Sequence, residues 1–140
     1  MFHEFTHILD TEMYVQKDKM KNVMYRGFSE YHAGQIDFLK VLGAKKVDES
    51  ISFSMKQILK TVGNPETAEE FVVNTSKDLI NRGDFPADVE TLVIMFGLIF
   101  NYWGRSSICK MHAVDYVEKW TTKSLKSAWE RNLLRQWMHL

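Results

Sequence analysis

The sequence predicts an all-α fold of about six helices. Apolar residues recur at helical spacing along most of the chain. No clean period-two run is flanked by turn residues, so strand signals are poor. The two prolines, Pro65 and Pro86, both stand where a helix can begin. At 140 residues the chain fits one domain, and 45% hydrophobic and 13% aromatic content is enough to build a core. Within that domain, 1–43 reads as a helix pair and 50–140 as a helical scaffold.

The first helix is expected from about Phe2 to about Lys19. There Phe5, Ile8, Leu9, Glu12 and Val15 form a stripe at i, i+3, i+4, i+7 and i+10, apolar except for Glu12. Gly27 and Ser29 suggest a break and a cap before a second helix that ends near Gly43. After the charged connector AKKVDES, Ser50 or Ser52 caps a third helix, ISFSMKQILKTV, closed by Gly63. Asn64 as N-cap and Pro65 as first helical residue open a fourth, which stops at Gly83. Asp84, Pro86, Asp88 and Glu90 give acidic start signals for an apolar fifth helix ending near Gly104. Its apolar stretch is shorter than the roughly 18 to 20 residues of a membrane span, so it reads as a buried core helix and no membrane partner is expected. The last helix covers roughly Val114 to Met138, with Val117, Trp120, Leu125, Ala128 and Trp129 on its buried side.

Charge and cysteine content narrow the function classes. Lys plus Arg number 18 and Asp plus Glu number 18, so nothing predicts strong phosphate binding, and no nucleic-acid motif stands out. The single Cys109 makes no internal disulfide. With no signal peptide ahead of it, the chain reads as intracellular and cytoplasmic. Cys109 lies three residues before His112, a spacing open to a nucleophile pair, but a buried structural cysteine is the preferred reading.

The motif that carries chemistry is H-E-F-T-H, comprising His3, Glu4 and His7. Residues four apart share a helix face, so His3 and His7 can offer nitrogens to one metal ion. Glu4 then reaches a water at the open position, whose proton it can take. With five His and ten Glu in the chain, this spacing is a roughly one-in-a-hundred coincidence. A catalytic zinc needs a third protein ligand. Glu30, in GFSEYHAGQIDFLKVLG, is a candidate on a second helix packed antiparallel to the first. Small Ala33 and Gly34 on its face allow close approach. Asp10, one turn beyond His7, and Asp37, two turns beyond Glu30, are candidates to orient a ligand histidine. His32 falls on another stripe with Phe28, Gln35, Leu39 and Leu42.

HEFTH followed by Glu30 in SEYHAGQID resembles the gluzincin class of zinc metallopeptidases, in particular small bacterial and phage-type HExxH proteins with E-x-x-A on the next helix. The resemblance covers about Phe2 to Leu42. It implies zinc as cofactor, His3, His7 and Glu30 as its ligands, Glu4 as general base, and a peptide or protein substrate. Tyr31 and His32 are the nearest candidates in sequence for substrate or oxyanion contacts. Thermolysin-like members carry an aspartate four residues after the ligand glutamate. Gly34 stands there in this chain, so either Asp37 takes the orienting role or no residue does. The family also sets a β-sheet before the HExxH helix, so an N-terminally truncated form is expected. Its bare helix would be covered by a second copy in a homodimer or by a partner. The alternative function is a non-catalytic helical interaction protein or a degenerate, phage-borne peptidase relative.

Overall fold

In the computed structural model, which describes residues 3, 4, 6, 7, 19–61, 63–81 and 89–118, the elements run α1 (Lys19–Val41), β1 (Ile58–Leu59), β2 (Glu66–Thr67), α2 (Ala68–Asn81) and α3 (Val89–His112). Positions 3, 4, 6 and 7 are also helical. The expected all-α chain of about six helices is thereby corrected. The described residues form three long helices and a two-stranded antiparallel sheet with Ile58 opposite Thr67 and Leu59 opposite Glu66.

α1 passes straight through Gly27 and Ser29, where a break was expected. Gly27 lies inside the helix close against the Phe100 ring, which a Cβ there would meet at 2.7 Å. The expected stop at Gly43 does occur. Gly43 takes φ +88, its amide donates to Lys40 O, and the Ala44 amide donates to Leu39 O. This is a Schellman closure, in which glycine adopts the left-handed conformation at little cost and two terminal carbonyls gain partners.

The stretch read as a third helix is largely extended. Ile51, Phe53 and Met55 alternate with Ser52 and Ser54, and Phe53 and Met55 are buried. Phe53 makes a parallel bridge to Ala113, its amide donating to His112 O and its carbonyl accepting from the Val114 amide. Asp115 accepts from the Ser54 hydroxyl at 2.7 Å and from the Met55 amide at 2.8 Å, and the Met55 amide chiefly holds the Asp115 carboxyl below its ordinary value. Residues 114–118, read as the start of the last helix, are therefore used to tie down this segment and are not helical. The remainder of that predicted helix lies outside the described residues, as does most of the first.

α2 starts three residues later than Asn64 and Pro65 suggest, because Glu66 and Thr67 pair with β1. Thr67 is the N-cap. Its hydroxyl accepts the Glu70 amide at 3.2 Å, and the Glu70 carboxylate accepts the Thr67 amide at 2.8 Å. This reciprocal capping box satisfies two amides that the helix cannot. Thr67→Ala is expected to lower stability by about 1 kcal/mol, read as a lower urea midpoint at unchanged slope.

α3 continues eight residues past the expected stop at Gly104. Gly104 meets the Tyr31 carbonyl, and Gly34 faces Asn101 O, where a Cβ would come to 2.5 Å. These glycines let α1 and α3 approach backbone to backbone. The two helices run in the same direction, since Glu30 lies at Gly97, Gly34 at Asn101 and Asp37 at Arg105. Arg105 joins all three helices: its buried guanidinium donates to Asp37 at 3.1 Å and to Phe71 O at 2.7 Å, and stands 4.2 Å from the Phe71 ring centre. Phe38 fills the core beside it, stacked on Phe71 and edge-on to Phe53. Among the described residues, no helix is long and apolar enough to cross a membrane.

Candidate metal centre

Helical conformation at 3, 4, 6 and 7 sets His3 and His7 one turn apart, and Thr6 beside them is buried. The two imidazoles meet edge to face, with centroids 4.5 Å apart and planes at 81°. Their Nε2 atoms point together at 2.9 Å. α1 delivers the third group. Glu30 Oε2 lies 3.4 Å from His3 Nε2, and Glu30 Oε1 lies 3.4 Å from His7 Nε2. Gly97 on α3 lies beside this carboxylate, and a Cβ at that position would make an ordinary contact with Oε1 at 3.5 Å.

The separations bear on what the cluster can do. A charge-assisted N–H···O bond is about 2.7–2.9 Å long, shorter than either His–Glu separation. Three donors held tetrahedrally at roughly 2.0–2.1 Å from one zinc would stand about 3.3 Å apart. The imidazole nitrogens stand 2.9 Å apart, each lies 3.4 Å from a different oxygen of Glu30, and one ligand atom from each residue lies within 4.8 Å of the others, so the three groups are near enough to converge on one ion. Among the described residues, no fourth His, Cys, Asp or Glu joins the group. Side-chain exposures of 28%, 29% and 18% for His3, His7 and Glu30 leave it within reach of solvent. The His3 imidazole is raised above its ordinary value, chiefly by the neighbouring Glu30 carboxylate and against the pull of desolvation.

Of the other residues singled out in the sequence, Glu4 is exposed, and hydrogen bonding to its own backbone amide is the main reason its carboxyl lies below its ordinary value. Asp37 makes its ion pair with Arg105. Asp10 lies outside the described residues. The Tyr31 carbonyl packs on Gly104. His32 lies against Phe28 at 5.8 Å between ring centres, about 200° around α1 from Glu30. Gly34, read as opening the helix toward the HEFTH segment, is spent on α3 instead. Cys109 is fully buried, its thiol pushed up to about 12 by desolvation, and His112 Nδ1 is bonded to Ile51 O. That pair offers no ready nucleophile.

Two residues of the centre carry no signal in the sequence. Gly97 is one. Ser29 is the other: it reads as a helix cap, but in mid-helix its Oγ lies 2.7 Å from His7 Nδ1. No protein-family model, curated protein or solved structure matches this chain. The chemistry of the centre is accordingly read from its donor geometry.

Proposed function

We propose that this protein is a zinc-dependent hydrolase of peptide bonds, with His3, His7 and Glu30 as metal ligands and Glu4 as general base. The observation that carries the reading is the convergence of His3, His7 and Glu30, which can each offer one ligand atom within 4.8 Å of the other two. Three protein ligands, the number found among the described residues, is the count that leaves a position for water in catalytic zinc sites. A zinc ion held there would lower the pKa of water and polarise a substrate carbonyl. The peptide bond as substrate follows from the resemblance of HEFTH and Glu30 to gluzincin peptidases.

The chain's own contribution to the step is proton transfer. Glu4 is ionised at neutral pH, given its lowered pKa. Its carboxylate accepts the proton of the attacking water as the oxygen–carbon bond forms. It then delivers that proton to the amine nitrogen as the carbon–nitrogen bond breaks. Glu30 and the two imidazoles stay in place as ligands throughout.

Metal content tests the ligand set. Protein prepared with ample zinc is expected to hold about one zinc per chain by elemental analysis, and His3→Ala, His7→Ala and Glu30→Ala each to lose it. A wild-type protein that stays metal-free under those conditions would remove the ligand assignment, and with it the hydrolytic reading.

A further inference from the structure

We infer that Ser29 is a positioning residue for this centre: its hydroxyl accepts the Nδ1–H of His7 and keeps the lone pair of His7 on Nε2, directed at the metal. The role rests on the metal reading above. A neutral imidazole carries its proton on either nitrogen, and the partner of one nitrogen decides whether the other is free to ligate. Ser29 Oγ is 2.7 Å from Nδ1, while Nε2 faces His3 and Glu30. A serine hydroxyl has two lone pairs and one proton. In a helix it can donate to the carbonyl four residues back and still accept from the ring.

Of the two carboxylates expected to orient a histidine, Asp10 lies outside the described residues and Asp37 is engaged elsewhere. Asp37 is held by Arg105, whose other nitrogen is fixed on Phe71 O. Gly34 has no side chain and backs onto Asn101 O. Ser29 also directly precedes Glu30, so a single turn of α1 supplies both a ligand and the restraint on another ligand. The position of α1 against the N-terminal helical residues therefore sets the Glu30 carboxylate and the His7 tautomer together.

The test uses the full chain, with Zn2+ titrated against a chromophoric chelator. Ser29→Ala is expected to weaken zinc binding by about 10–100-fold, while Ser29→Thr, which keeps the hydroxyl, restores wild-type affinity. Circular dichroism of both variants controls for folding. Nitrogen-15 NMR of the metal-free protein above neutral pH gives a readout that a merely structural role would not move. His7 is expected to be protonated on Nδ1 in the wild type and Ser29→Thr, and to shift toward Nε2 protonation in Ser29→Ala. Equal zinc affinity and an unchanged His7 tautomer in Ser29→Ala would overturn the role of Ser29 and leave the ligand set intact. No zinc uptake by the wild type would overturn both.

Discussion

Glu4→Gln is expected to keep the wild-type zinc content and to cut peptide cleavage by about 10²–10⁴-fold, the usual range for loss of a positioned base. Glutamine matches glutamate in size and in hydrogen-bonding reach, but it cannot take up a proton. Glu4 is exposed and does not belong to the three converging groups, so the change leaves those groups untouched. The measurement is mass-spectrometric analysis of a broad peptide library treated with the two proteins at equal zinc occupancy. Equal cleavage by both would eliminate Glu4 as the base. Loss of zinc from the variant would instead place Glu4 among the ligands.

The second large effect is on the scaffold. Gly104→Ala places a Cβ onto the Tyr31 carbonyl oxygen, a backbone atom that cannot rotate away. Alanine improves helix propensity by about 1 kcal/mol over glycine, but forcing the two helices apart costs about 1–3 kcal/mol or more, so the variant is expected to be less stable. Gly97→Ala is the informative contrast. Its Cβ would stand 3.5 Å from Glu30 Oε1, an ordinary contact, so there the propensity gain is expected to dominate. Urea unfolding of the two variants should therefore shift in opposite directions from wild type. A Gly104→Ala protein as stable as wild type would show that α1 and α3 do not pack through this glycine.

The misread elements share one feature: their local signal fits two outcomes. A glycine after an apolar helical run looks like a terminator, because glycine is common just past a helix end. Gly43 is such a terminator, whereas Gly104 lets a second backbone approach. The difference lies in what stands opposite. Likewise Ser50 and Ser52 can cap a helix, and ISFSMKQILKTV has apolar residues at spacings of four and seven. The same letters contain the alternation Ile51, Phe53, Met55. Phe53 settles the competition by bridging to Ala113, and Asp115 by binding Ser54 and Met55, all about sixty residues away along the chain.

The sequence by itself determined that His3 and His7 present two imidazoles on one helical turn, since a spacing of four does so wherever the helix is placed. It also determined the end of α1, because the Gly43 closure is made within six consecutive residues. Only the tertiary structure decided that Glu30 meets both imidazoles, that Gly97 lies beside it, that Ser29 meets Nδ1 of His7, and that Asp37 is held by Arg105. Each of these contacts joins residues more than twenty positions apart. Each depends on where two helices cross, and that is fixed by the summed fit of their glycines and apolar side chains rather than by any local pattern.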